Sequence, residues 1–178
     1  MANVQRVLKM GATHRAYPVK GSAEAIDVGD FVYWEERFQG NTGQDTIRPA
    51  SAGSAGSSAA DGRSQFATLF VGVSTQRHDL NSFDKLLHGV AVDAEIEAII
   101  TNSVGVDTVA NADVSPGTRV GIAVTGAFVP IKDRVQIDGL HSATVAAAEA
   151  IGKVSRQVKN GDRTVRVHIE GVHVFDRT

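Results

Sequence analysis

Short apolar stretches rich in valine and threonine, separated by turn-forming dipeptides, are the feature that most constrains the fold of this chain. Eighteen glycines and repeated Gly-Asp, Asn-Gly and Pro-Gly dipeptides interrupt the stretches. Long amphipathic helices are absent from the sequence, because few apolar stretches are long enough to form them. The pattern predicts an all-β protein.

Composition excludes several classes of chemistry. The 178 residues contain no cysteine, which removes disulfides, thiolate metal sites and thiol nucleophiles. Eighteen basic and twenty acidic side chains give a formal net charge of −2, so we expect neither nucleic acid nor an anionic membrane as a partner. No run of about 18 apolar residues occurs, and residues 1–10 lack the apolar segment of a secretion signal. We therefore expect a soluble protein that is not exported by an ordinary signal.

Residues 1–20 have no clean hydrophobic period and end near Tyr17-Pro18, a dipeptide that favours extended or turn conformation. We predict that they form an extended N-terminal arm. The arm has too few apolar side chains to build its own core, so it would gain most by packing on a partner protein. A disordered terminus and a strand of the main domain are the alternatives. The predicted partner-binding residues are Val4, Arg6, Val7, Lys9, Met10 and Tyr17.

The first clear strand pattern covers residues 25–38. Phe31 and Tyr33 point to one side of this strand, and Val32 and Trp34 point to the other, which predicts burial on both faces. A Gly-Asp pair near its start indicates a turn or bulge where the chain enters the sheet.

Residues 39–65 have the least structured composition, and 49–62 form a low-complexity tract of glycine, serine and alanine. Such a tract has little apolar surface to offset its ordering entropy, so we predict a flexible surface loop over 39–65. A loop that orders on a neighbouring subunit is the alternative. A strand over 66–74 is predicted to follow.

Three segments in the second half of the chain have patterns that predict single elements or a strand pair. Residues 90–102 fit either a short helix capped by Asp93 or a strand, and we favour the strand. Residues 119–131 predict a pair of strands bent at Gly126. Residues 143–150 favour one or two helical turns.

The terminal hairpin has the strongest local signal, because Asn160-Gly161 lies between two alternating segments. A type I′ turn at this dipeptide places Val154 opposite Val167. The apolar phase of the last strand changes after Gly171, which predicts a β-bulge there.

Motifs that carry chemistry are missing or weak. The six histidines lack the spacing of a metal site, and His78-Asp79 is an isolated pair in a polar stretch. Neither glycine pattern of nucleotide-binding loops occurs. The acidic groups at Glu35-Glu36 and over 93–97 lack the layout of a calcium loop. We therefore predict no catalytic residue, no metal, no cofactor and no enzymatic activity.

Three parts of the chain together resemble the small decoration proteins, also called cement proteins, of tailed-phage heads. They are residues 28–32 (VGDFV), 70–74 (FVGVS), and 151–155 with 165–172. The resemblance implies a compact β-barrel or β-tulip domain, here a single domain over 21–178, with an extended arm before it. It also implies a homotrimer, made in the host cytoplasm, that lies on the capsid outer surface and ties major capsid subunits together.

Two other functions stay open. A carbohydrate- or receptor-binding β-barrel module would be indicated by Tyr33 and Trp34 exposed in a groove, although a lone tryptophan on such a strand is more often part of the core. An enzyme of unrecognised type would be indicated by His, Asp and Glu side chains that converge in one pocket.

Overall fold

The computed structural model describes residues 6–10, 14–19, 25–35, 46–53, 56–79 and 86–170. These residues form eleven strands, one α-helix and two single-turn 3₁₀ helices. The strands are β1 (Arg6–Met10), β2 (His14–Pro18), β3 (Phe31–Glu35), β4 (Thr46–Pro49), β5 (Phe70–Ser74), β6 (Leu86–Ala91), β7 (Asp93–Ile100), β8 (Arg119–Val124), β9 (Pro130–Ile137), β10 (Ala150–Val154) and β11 (Thr164–Glu170). The helix α1 covers Ala59–Leu69, and the 3₁₀ helices cover Ala50–Ala52 and Ala147–Glu149. Within these ranges, no helix has the length and apolar character needed to cross a membrane.

Five strands close into a barrel in the order β7-β11-β10-β8-β9. Neighbouring strands are antiparallel except at the closing pair, where β9 runs parallel to β7 and pairs Arg134 with Ile99 and Val135 with Ile100. Residues 94–97 of β7 pair with β1. Strand β1 lies outside the closed ring. The prediction of an all-β fold with a small barrel is confirmed.

A second sheet has the order β2-β6-β5-β3-β4. Its two outer strands meet at one point, because Val19, just after β2, forms a parallel bridge with Ile47 of β4. This sheet therefore curls around its own small core.

The larger core fills the barrel and continues onto the second sheet. Every second residue of β7, from Ala94 to Ile100, is buried, as the two-residue period of a strand requires. Phe31, Phe66 and Phe70 belong to the same cluster, with the ring centroid of Phe70 5.9 Å from Phe31 and 5.6 Å from Phe66. Burying each such side chain is worth about 1.5–3 kcal/mol, so this shared cluster holds the barrel, α1 and the second sheet together.

The smaller core lies inside the second sheet, on the opposite face of β3. Val32 is fully buried there, and Trp34 packs against the cluster. Because Phe31 and Tyr33 belong to the larger core, the predicted burial of both strand faces is confirmed. The described part of the strand begins only at Phe31, since Gly29 adopts a φ of 90° in the turn that precedes it.

The predicted flexible loop over 39–65 is wrong for the part of it that the structure describes. Strand β4 lies within that range, and α1 begins at Ala59. The Ser58 hydroxyl accepts a hydrogen bond from the Asp61 N–H at 3.1 Å, and the Asp61 carboxylate accepts one from the Ser57 N–H at 2.6 Å. These bonds satisfy free donors at the helix start, so a polar low-complexity tract can begin a helix. Residues 66–69 consequently end this helix, and the predicted strand begins only at Phe70.

The predicted N-terminal arm is replaced by two strands of the chain's own sheets. β1 pairs with β7 of the barrel, and β2 pairs with β6 of the second sheet. Each gains a ladder of backbone hydrogen bonds there, which compensates for the small number of apolar residues that suggested an arm.

The other predictions for the second half hold with adjusted bounds. The strand within 90–102 is β7, and the strand pair within 119–131 is β8 and β9, joined by a turn at Gly126. One helical turn forms within 143–150, as the 3₁₀ helix Ala147–Glu149.

The terminal hairpin has the predicted register, with Val154 opposite Val167. Its turn is not type I′, because Asn160 is not among the described residues with positive φ, whereas Gly161 has a φ of 96°. The turn is held from outside the hairpin, since the Asp113 carboxylate accepts the Asn160 N–H at 2.9 Å. The predicted bulge at Gly171 lies outside the described residues.

Replacing Gly161 with valine should lower the free energy of unfolding by about 1–3 kcal/mol, because a β-branched residue is strained at positive φ. No atom lies within 4 Å of a Cβ at either Gly161 or Gly126, and only Gly161 has positive φ. Gly126→Val is therefore the matched control, and it should lower the free energy of unfolding by less than Gly161→Val does. Urea denaturation compares the two, and equal losses would contradict the backbone assignment.

Candidate functional site

The residues predicted to bind a partner lie on the two N-terminal strands, apart from Val4, which is outside the described residues. Tyr17 of β2 is buried at 8% exposure, and its ring meets Trp34 edge-on with centroids 5.4 Å apart. Tyr17 is therefore part of the second sheet's core. Partner binding stays a prediction for the four residues on β1, which pair with residues 94–97 of β7: Arg6, Val7, Lys9 and Met10.

Histidines and carboxylates do not converge on a metal site in the described part of the chain, where no group of three or more such side chains is suitably placed. His78, paired with Asp79 in the sequence, lies on a bridge to Ile26 and is buried at 9% exposure. His168 lies on β11, with its Nε2 3.2 Å from a carboxylate oxygen of Asp93 on the barrel surface.

Arg63 of α1 reaches into the junction between the helix and the barrel. It is 5% exposed, and its three nitrogens all donate hydrogen bonds of 2.7 Å. Nε binds Glu149 Oε2, Nη1 binds Gln136 Oε1, and Nη2 binds the Thr144 carbonyl. Because a buried charge is tolerated only when it is paired and hydrogen-bonded, these three acceptors fix α1 on the barrel.

The network continues from Arg63 towards the surface. Gln136 is fully buried, and its Nε2 donates to the Asn102 carbonyl at 2.7 Å. The Asn102 side-chain oxygen accepts the N–H groups of Val104 and Val106, each at 3.0 Å. A continuous path of hydrogen bonds therefore links the inner end of Arg63 to the loop formed by residues 102–109, which we call the valine loop.

The valine loop exposes several large apolar side chains. Val104 is 53% exposed, Val106 58% and Val109 40%. In the described residues, only Val28 and Leu86 are comparably exposed among large apolar side chains. Single exposed valines are ordinary, but three on one short loop make it a candidate interaction surface.

The valine loop is held in one conformation by contacts on both sides. Gly105 has a φ of 79°, and an added Cβ there would lie 2.4 Å from the Val124 carbonyl oxygen. Asp107 receives two hydrogen bonds from the Arg134 guanidinium, at 2.9 and 3.4 Å. His141 Nε2 lies 2.6 Å from the Val109 carbonyl. Binding through such a loop requires little further ordering.

The turn that carries His141 depends on Asp138. His141 and Ser142 both have positive φ, of 51° and 59°, a conformation that side chains other than glycine rarely adopt. Asp138 accepts the Val145 N–H at 3.0 Å and Arg119 Nη2 at 3.0 Å. The hydrogen bond from the Val145 N–H is the main cause that holds the pKa of Asp138 below its ordinary value, and the bond from Arg119 adds to it. Burial opposes this shift.

A cleft of about 260 Å³ lies between α1 and the second sheet. Tyr33 and Phe66 form part of its wall, and an ion pair between Arg48 and Glu35, with N–O distance 3.1 Å, lines it as well. Tyr33 is only 9% exposed, so little of its ring is available for stacking, and Trp34 does not line the cleft.

Sequence reasoning missed both the buried network and the valine loop. Arg63 lies in the loop over 39–65 that was predicted to be flexible, so nothing in the sequence indicated its burial. The valine loop did have one, because three valines alternate with the turn-forming residues Gly105 and Asp107 between two strands.

Comparison of the chain with protein-family models, curated proteins and solved structures finds no match in any of the three. The resemblance to capsid decoration proteins therefore rests on the sequence segments alone.

Replacing Arg63 with methionine should lower the free energy of unfolding by about 3–5 kcal/mol, because it leaves the Glu149 charge buried without a partner. The double variant Arg63→Met/Glu149→Met should lose less than the sum of the single losses, by about 0.5–3 kcal/mol. Arg119→Met, which breaks the more exposed pair with Asp138, is the control and should cost about 1 kcal/mol or less. Strictly additive losses in urea denaturation would contradict the network.

Stability should depend on pH through Asp138. The pKa of Asp138 is lower in the folded protein than its ordinary value of 3.8. Its contribution to the free energy of unfolding is therefore complete above pH 3.8 and is lost as the pH falls through the folded-state pKa. Asp138→Asn should cost about 1–2 kcal/mol at neutral pH, and the difference from wild type should shrink below pH 3.8. Arg119→Gln keeps the Val145 bond, the larger cause, and should change this pH dependence less. A difference that is constant with pH would refute the assignment.

Proposed function

We propose that this chain is a structural, non-enzymatic protein of a tailed-phage virion. In this proposal it binds major capsid subunits on the outer surface of the capsid, as a homotrimer, and stabilises the shell. The sequence resemblance suggests this role, and the observation that carries it is the preformed valine loop on a rigid barrel.

The valine loop has the properties of an adhesive contact. Its three exposed valines offer apolar area whose burial is worth about 1 kcal/mol for each side chain, since only the exposed half of each remains to be buried. The loop is already ordered by Asn102 and Arg134, so little of this gain is spent on fixing its conformation. A trimer would present three such loops to a shell, and simultaneous attachment raises the overall affinity without new contacts.

Barrel closure favours attachment through loops over strand addition. The five barrel strands pair with one another around the ring, so a partner cannot insert a strand between them. β1 is the terminal strand of this sheet and presents an outer edge beside the barrel. The predicted partner-binding residues on β1 can therefore add a second contact.

The double variant Val104→Thr/Val106→Thr should weaken shell binding by about tenfold or more, equivalent to about 1.4 kcal/mol. Threonine keeps the β-branched shape but replaces a methyl group with a hydroxyl, so the loop should keep its fold. The measurement is co-sedimentation with shells assembled from the major capsid protein of the same genome. Leu86→Thr removes a side chain that is 40% exposed on β6 and is the control, with unchanged binding.

Two results would contradict the capsid proposal. One is that the wild-type protein does not sediment with such shells at micromolar concentration. The other is that mass photometry finds only monomers of the protein, both free and when released from shells.

A second candidate, a carbohydrate-binding module, rests on the polar groups of the cleft between α1 and the second sheet, since the Tyr33 ring is almost buried. The ion pair of Arg48 and Glu35 offers polar groups that could bind sugar hydroxyls. Saturation-transfer NMR with simple sugars tests this. Binding that is lost on Arg48→Met would support a sugar site, and no signal at millimolar sugar would eliminate it.

A further inference from the structure

A basic hollow of about 290 Å³ lies beside the turn between β10 and β11. Two acidic side chains, Glu97 and Asp162, also line it. The cationic side chains that line it are Arg156, Lys159, Arg163 and Arg166. The hollow therefore has an excess of positive charge on a protein whose formal net charge is −2.

The four cationic side chains differ in whether they form ion pairs. Lys159 pairs with Asp113 at 2.9 Å, and Arg166 lies 3.8 Å from a carboxylate oxygen of Glu95. Arg156 and Arg163 form no ion pair with any residue that the structure describes. Two guanidinium groups in one hollow are therefore available to an anion.

The two acids of the hollow already have hydrogen-bond donors. Glu97 Oε1 accepts the Thr164 hydroxyl at 2.8 Å, and Asp162 Oδ2 accepts the Lys159 N–H at 2.8 Å. Both carboxylates keep their charge, but in the described residues neither forms an ion pair with Arg156 or Arg163.

The backbone that carries these arginines is fixed. Val158 forms an isolated bridge with Val114, through hydrogen bonds of 3.0 and 3.1 Å. The Gly161 N–H donates to the Ala110 carbonyl at 2.8 Å. Positively charged groups on a rigid turn can bind an anion without the ordering cost of a flexible loop.

We propose that this hollow binds a short acidic peptide segment of a partner protein, through Arg156 and Arg163. A guanidinium group binds a carboxylate with two parallel hydrogen bonds, so two free arginines suit neighbouring Asp or Glu side chains. Beyond the hollow, β7 continues with acidic residues at Glu95 and Asp93, so the positive surface is short and suits a short acidic segment better than a long polyanion such as nucleic acid. Such binding does not require that the chain be a capsid protein.

The test measures fluorescence anisotropy of a labelled hexaglutamate peptide at low salt, with the full-length protein. Wild-type protein should bind, and Arg156→Gln/Arg163→Gln should bind at least tenfold more weakly. The control, Arg77→Gln/Lys153→Gln, removes the same charge from exposed residues that do not line the hollow, and should bind within twofold of wild type. Circular dichroism checks that all variants are folded.

Three outcomes would overturn the proposal. They are no binding by wild-type protein, equal weakening in both double variants, and tighter binding of a DNA duplex than of the peptide. The second outcome would mean that only net charge matters, and the third would mean that the hollow belongs to a nucleic-acid surface.

Discussion

The buried guanidinium of Arg63 is the interaction on which the rest of the described structure depends. Its hydrogen bonds join α1 to β9 through Gln136, and to the 3₁₀ helix Ala147–Glu149 through Glu149. A charge removed from water is costly unless it is paired and hydrogen-bonded, so these bonds favour one relative position of α1, β9 and the 3₁₀ helix Ala147–Glu149. Apolar packing holds α1 against the barrel, and these directional bonds further specify its place.

The shared apolar cluster complements this network. Phe66 and Phe70, at the end of α1 and the start of β5, pack with Phe31 of β3, so the helix lies between the barrel and the second sheet. β3 has a separate core on each face, as its alternation requires. Lys132 of the barrel also reaches Asp30, which is fully buried at the entrance to β3. Burial opposes the charge of Lys132, but the Asp30 and Asp27 carboxylates more than compensate and raise the pKa of Lys132 above its ordinary value.

Local patterns predicted the strands well where alternation was strong. The two faces of β3 and the register of Val154 opposite Val167 follow from a period of two and a glycine turn. Helix α1 was missed because its start depends on one serine cap, and its stability depends on distant acceptors for Arg63 that a sequence window does not contain. The turn at Gly161 is not type I′, and its backbone is bound by Asp113, 47 residues away, a contact that a local sequence window does not contain. The valine loop has turn-forming residues in its own sequence, but the contacts that order it come from the distant residues Gln136 and Arg134.

The buried network of Arg63 and Gln136 sets the conformation of the exposed valine loop, and amide hydrogen exchange in that loop tests the coupling. Gln136→Met removes both bonds between Arg63 and the Asn102 carbonyl while filling a similar volume. We expect the Val104 and Val106 amides to exchange at least tenfold faster in this variant. We also expect this increase to exceed that of the second-sheet amides, such as those of β5. Unchanged exchange at Val104 and Val106, or an equal increase throughout the chain, would contradict the coupling.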